Sequence, residues 1–249
     1  MIRSERGSTL IVVLMVLLLI MIVGTLAIRQ SISSLKLVTN NQIQTLLLQS
    51  SDAALLALQN PNNTPDIAAA NGIVGFFKNE NHKEAELVFC FSESSPFTLS
   101  KGAYLLNSPN WESLGGGACK ASDNPDEDTA SKSGGRKQVV TQVYIKRATT
   151  PTAPFADLAR GTEVLGAKTE ESIRLQVFVV SVMQGLLSDT DKILFKKSTA
   201  ADEGCLVKSI DNAGKNEVAE CLKQNKENPL YNMQVAEYRF LSDFEPSGS

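Results

Sequence analysis

From Ser8 to Ile28 the chain carries no charged residue, and nearly every position is leucine, isoleucine, valine or methionine. A helix crossing the roughly 30 Å hydrocarbon core of a bilayer needs about 20 such residues, so this stretch is long enough to span. It does not end where a span would end. Between Thr9 and Gln59 there is no proline and the only glycine is Gly24, and the first cluster of breakers is Asn60-Pro61-Asn62-Asn63-Thr64-Pro65. Ile28, Ile32, Leu35, Ile43, Leu46, Leu47, Ala54 and Leu58 recur mostly three, four, seven or eight apart, the pattern of an amphipathic helix. The reading is one helix of about 50 residues, ~75 Å long at about 1.5 Å per residue. It is apolar all round over 8–28 and apolar on one face over 29–60.

The flanks of this helix give its orientation and its processing. Residues 1–7 are short and basic, with Arg3 and Arg6 against Glu5. Basic residues stay on the cytoplasmic side, which places the chain after Ile28 across the membrane. Three readings compete. A secretory signal would be cut at small residues such as those around Thr25-Leu26-Ala27. A plain anchor would stay uncut. A leader cut ahead of the apolar run would end at Gly7 and leave Ser8 as the new N-terminus. A secretory signal has no reason to continue into a long amphipathic helix.

The remaining chain, from Arg29 on, is polar enough to be soluble and large enough to bury a core of its own. Ile67–Lys78 reads as a short helix or turn, and 87–91 as a short strand. Residues 107–136, punctuated by Gly115-Gly116-Gly117, Asn124-Pro125 and Gly134-Gly135, read as loop. Three further segments, 138–147, 172–184 and 232–244, alternate with period two and are rich in β-branched residues. They predict an antiparallel sheet with one face buried, covered by the apolar stripe of residues 32–58. Residues 148–171 and 185–231 show little periodicity and read as connections. The expected fold class is α+β, one long helix laid across an antiparallel meander.

The four cysteines are Cys90, Cys119, Cys205 and Cys221, with no C-x-x-C pair. An even count at wide spacing downstream of an export segment points to two disulfides in an oxidising compartment. The spacings suggest Cys90–Cys119 and Cys205–Cys221, among three possible connectivities. A bridge closing the second loop contributes about 3 kcal/mol by the chain-entropy model.

Bond chemistry is not suggested. His82 is the only histidine and lies in the polar stretch Asn79-Glu80-Asn81-His82-Lys83, which reads as structural rather than catalytic. A zinc site would need short-range thiol pairs. The glycines 115–117 lack the Lys-Ser/Thr ending of a phosphate loop and read as a flexible loop. Asp123-Asn124-Pro125-Asp126-Glu127-Asp128 gathers carboxylates, but without the glycine and terminal glutamate of an EF-hand it reads as a solvated acidic loop. With 24 basic against 27 acidic side chains, a net charge of −3, and no basic cluster, nothing points to nucleic acid. No cofactor, no metal and no enzymatic activity are expected.

The run Arg6-Gly7-Ser8-Thr9-Leu10-Ile11-Val12-Val13-Leu14, followed by Leu17-Leu18-Leu19, Gly24, Ala27 and Arg29, resembles the N-terminal region of PilX-type minor pilins of type IV pili. Asn40, Gln49 and Ala53-Ala54-Leu55 continue the likeness, which covers residues 6–59. The resemblance implies a type IV pilin-like fold, cleavage after Gly7 by the prepilin peptidase and N-methylation of Ser8. It divides the chain into a leader, 1–7; an apolar transmembrane or filament-core half-helix, 8–28; an amphipathic half-helix, 29–60; and a periplasmic or extracellular sheet domain, 61–249. The implied partners are other minor pilins, the major pilin, the inner-membrane assembly platform and the prepilin peptidase. The implied location is the inner membrane before assembly and the surface filament after it. Two positions depart from major pilins: Val12 stands at the fifth mature position, where they carry glutamate, and Arg29 near the twenty-second, where many carry proline. Both speak against a role as major subunit, and the resemblance implies a minor subunit that helps start assembly at or near the filament tip. A pseudopilin of a type II secretion system shares the anchor logic. A single-pass anchored periplasmic enzyme or binding domain is the rival from another class.

Overall fold

The computed structural model describes residues 8–91, 97–106, 111–117, 119, 139–148, 173–183, 204–212, 214–225 and 229–240. The chain divides into two compact units, Met1–Thr45 and Leu46–Ser249. Helix α1 runs from Ser8 to Gln59. In the first unit its side chains are almost wholly exposed. Ile32 and Leu35, expected in the buried stripe, are 51% and 64% exposed. The reason lies in the spacing: a stripe read from sequence marks a face, and only where a partner surface exists is that face buried.

The second unit begins in the last turns of α1, where Leu47, Ala54 and Leu58 are buried. The breakers after Gln59 fold as a turn, with the Asn63 and Thr64 amides donating to the Asn60 carbonyl. Two short helices follow, α2 (Thr64–Ala68), with proline in its first turn, and α3 (Ile73–Lys78). Gly72 starts α3 in a space that no other residue fits, since a Cβ there would lie 2.0 Å from the Asp66 carbonyl oxygen. This tight turn sends Phe76 and Phe77 into the core.

Among the described residues, six antiparallel strands form one sheet: β1 (Glu86–Cys90), β2 (Ala103–Leu105), β3 (Glu112–Ser113), β4 (Val139–Arg147), β5 (Ile173–Met183) and β6 (Tyr231–Phe240). Their order is β3-β2-β1-β4-β5-β6. The sheet is therefore not a simple meander: β1 is flanked by β2 on one side and β4 on the other. The part of the expected last strand beyond Phe240 lies outside the described residues, as do the end residues 172 and 184 of the expected middle strand and residues 149–171 and 185–203 of the two expected connections.

The expectation of one buried face is corrected. Both faces of β4 and β5 are buried over most of their length. Val143, Ile145, Leu175, Val177 and Val179 face a core shared with Leu87, Phe89, Ala54, Leu58 and Phe77. Tyr144, Val140, Phe178, Val180 and Val182 face a second core with Leu206, Val207, Ile210, Val218 and Leu222. The cover on that second face comes from residues read as an unpatterned connection. It consists of a 3-10 turn at Cys205–Val207 and helix α4 (Glu217–Gln224). The Asn216 side chain caps α4 by accepting from the Ala219 amide at 2.8 Å. Glu217 and Glu220 in its first turn and Lys223 in its last complement the helix dipole.

Candidate functional site

The first candidate surface is the apolar part of α1. Leu10 to Val23 stand 47–70% exposed, with valine, leucine, isoleucine and methionine at every position. Each exposed Å² of such surface costs roughly 25 cal/mol in water. By length and composition α1 could cross a membrane, as an anchor or as a signal sequence. Helix α1 begins at Ser8, and Val12 is 57% exposed within it. Gly7 and the rest of the expected leader, 1–7, lie outside the described residues.

The second candidate is the disulfide-held cover of the sheet. Cys90 is bonded to Cys119 and Cys205 to Cys221, with Cα–Cα separations of 4.8 and 5.4 Å, both within the usual disulfide range. The 3-10 turn at Cys205–Val207 rests on three donors. The Tyr144 hydroxyl donates to the Leu206 carbonyl at 2.7 Å, the Gln142 side-chain amide donates to the same oxygen, and the Trp111 indole N–H donates to the Val207 carbonyl. Burial, and after it the charge of Glu86, raises the Tyr144 phenol well above its ordinary value of 10.0. It therefore stays a protonated donor.

Glu86 holds residues 209–211. Its carboxylate accepts from the Ser209 hydroxyl at 2.8 Å and from the amides of Ile210 and Asp211 at 3.0 and 2.9 Å. Lys146, opposite Glu86 in the β1–β4 register, pairs with Asp211. Sequence reasoning passed over Glu86. The signal for it was a carboxylate opening an apolar strand, where a charge needs partners.

On the helix side, four hydroxyls form a chain, three of them buried and that of Ser50 half-buried. Ser50 meets Thr141 at 2.6 Å, Thr141 meets Ser181 at 2.9 Å, and Ser181 meets Ser51 at 2.8 Å. Ser51 also donates to the Leu47 carbonyl. On β6, Gln234 donates to Asp52 and the Tyr238 hydroxyl donates to the Leu55 carbonyl. Two polar residues of β6, Gln234 and Tyr238, thus face α1, while Val235 on the opposite face is 54% exposed.

A search for similarity gives no matching family model, no matching curated protein and no matching solved structure.

The remaining candidates of the sequence are placed as follows. His82 ends the 3-10 turn Glu80–His82, and its ring stacks on Phe76 at 4.2 Å and lies 5.3 Å from Tyr104. Among the described residues, no group of three or more His, Cys, Asp and Glu side chains is arranged to hold a metal ion. The acidic run 123–128 lies outside the described residues. The reading of glycines 115–117 as a flexible loop is corrected. Their backbone is bonded to Lys101 and Gly102, through Gly116 N to Gly102 O at 3.3 Å and Gly117 N to Lys101 O at 3.1 Å. A Cβ at Gly116 would lie 1.9 Å from the Lys101 oxygen, and Gly115 has φ 129°. Glycine is needed here for close backbone approach and for its left-handed conformation.

Proposed function

We propose that this chain is a PilX-type minor pilin that takes part in starting type IV pilus assembly, at or near the filament tip. The observation that carries the reading is α1. One helix, Ser8–Gln59, is exposed and apolar in its first half, and its last turns supply Leu47, Ala54 and Leu58 to a folded sheet unit. A cleavable secretory signal has no use for that continuity, and a plain anchor does not require it. A subunit that leaves the bilayer to pack its apolar half-helix among others does require it, because its exposed surface stays covered throughout. Two disulfides support the placement of the sheet unit in an oxidising, periplasmic space before assembly. The work of such a subunit is packing and charge placement with other minor pilins, the major pilin and the assembly platform. The prepilin peptidase prepares it by cutting after Gly7.

Mass spectrometry of the N-terminal peptide tests this reading. A mature chain beginning at methylated Ser8 and retaining residues 8–28 is expected. A start at Ile28 would overturn it, since that is the product of ordinary signal peptidase. An uncut Met1 would leave a plain anchor. Bulky substitutions at Gly7 are expected to block processing, because a pocket fitted to glycine has no room for a side chain.

A further inference from the structure

We propose that the two disulfides form one coupled unit, joined by the side-chain amide of Gln142, so that opening either bridge opens the other to reductant. Gln142 is wholly buried and lies opposite Cys90 in the β1–β4 register. Its oxygen accepts from the backbone amide of Cys119 at 2.8 Å, and its nitrogen donates to the carbonyl of Leu206, the neighbour of Cys205. One amide group thus touches a residue of the first bridge and a residue beside the second. It does so in apolar surroundings, among Val88, Val140, Tyr144 and Leu206. A buried polar atom that loses its partner there finds no water to replace it.

The segment closed by the first bridge also contributes Trp111, whose indole N–H donates to the Val207 carbonyl inside the second bridge's segment. Two of the three donors beneath Cys205–Val207 are therefore tied to Cys90–Cys119. If that bridge opens, Cys119 can leave, Gln142 loses the partner that orients it, and the turn at 205–207 loses its seat. The reverse order works by the same contacts. Cys119 and Cys205 are 1% and 2% exposed, whereas Cys90 and Cys221 are only partly covered. Each bridge thus joins a buried cysteine to a partly exposed one.

The reaction is thiol–disulfide exchange with a dithiol. Each bridge gains two electrons and two protons and becomes two thiols, while the dithiol loses the same and closes to a cyclic disulfide. The test is the rate at which dithiothreitol reduces each bridge in the full-length protein in detergent, read by pulse alkylation and mass spectrometry. The forms compared are the wild type, Cys90→Ala/Cys119→Ala, Cys205→Ala/Cys221→Ala and Gln142→Met. Removing either bridge is expected to speed reduction of the other about tenfold, the scale of one lost buried hydrogen bond. Gln142→Met keeps both bridges and close to the same volume, and is expected to speed reduction of both. Hydrogen exchange across Val177–Val180 in each variant reports whether the sheet is intact. Acceleration in the bridge variants without acceleration in Gln142→Met would overturn the assignment to the amide. Unchanged rates in every variant would overturn the coupling itself.

Discussion

The Ser209 hydroxyl donates to the Glu86 carboxylate at 2.8 Å, joining residues 123 apart in sequence. The same carboxylate takes the amides of Ile210 and Asp211, so a single side chain at the start of β1 holds the strip that follows the Cys205–Val207 turn. Hydrogen bonds to a charged acceptor contribute about 1.5–3 kcal/mol each when broken singly. Glu86→Ala leaves two backbone amides and one hydroxyl without their acceptor. A loss of about 3–4 kcal/mol in urea denaturation is expected, with hydrogen exchange rising first at 209–212. Glu86→Gln keeps one acceptor oxygen and is expected to lose less than half as much.

Tyr144 gives a pH dependence with a definite sign. Burial, then the Glu86 charge, raises its phenol above 10.0 in the folded chain, while the unfolded chain releases that proton near the ordinary value. Above that pH the unfolded state binds fewer protons than the folded one. The stabilisation is therefore complete below about pH 10 and is lost as pH rises toward the folded value, with a slope of up to about 1.4 kcal/mol per pH unit. Tyr144→Phe removes this component. It costs about 1 kcal/mol at neutral pH, since the Leu206 carbonyl keeps its bond from Gln142. Its stability curve is expected to fall less steeply above pH 10 than that of the wild type. Tyr238, raised by its own burial, leaves a residual slope.

The contrast between the two sheet faces explains what could be read in advance. Val143, Ile145, Val177 and Val179 announced their strands because alternation and β-branching are local properties. Tyr144 and Phe178 lie on the opposite face of the same strands. Alternation could not show that this face was covered too, because the cover comes from residues 204–224, whose own pattern is set by caps and contacts with distant residues. Glu86, Gln142 and Ser181 were invisible for the same reason, since a polar residue in a strand looks solvent-facing until its partner is known. The β2–β3 pair, Ala103–Leu105 with Glu112–Ser113, is too short to carry a period. Helix α1 was legible throughout, because the absence of proline between Thr9 and Gln59 and the run of apolar residues are both local. Among the described residues nothing covers its first half.

The hydroxyl chain from Ser50 to Ser51 makes a non-additive prediction. Thr141→Val preserves shape and strands the Ser181 and Ser50 hydroxyls on one side each, for a cost of about 1–2 kcal/mol. Ser51→Ala and Ser181→Ala are expected to cost about as much singly. The triple variant Ser51→Ala/Thr141→Val/Ser181→Ala removes donors and acceptors together and is expected to cost less than the sum of the three. Equilibrium unfolding of the four proteins checks this. Strict additivity would mean that the hydroxyls do not act as one network.

Val12 carries the last prediction, which rests on the pilin reading. On that reading, a glutamate at the fifth mature position of an incoming pilin subunit neutralises the N-terminal amine of the subunit above. Both groups lie among apolar helices, where an unpaired charge is costly. Val12 cannot offer that carboxylate, so this chain is poorly suited to join beneath another subunit. It is well suited to go first, because a subunit at the tip has no amine above it to neutralise, and its own amine at Ser8 can be paired by the glutamate of the next subunit. Few copies per filament, confined to one end, are therefore expected when sheared filaments are labelled with an antibody to the sheet unit. Label spread evenly along the shaft would refute tip placement. Val12→Glu supplies the missing carboxylate and is expected to let the chain enter beneath other subunits, moving label from the end into the shaft. If label stays at one end in that variant, Val12 is not what sets the position.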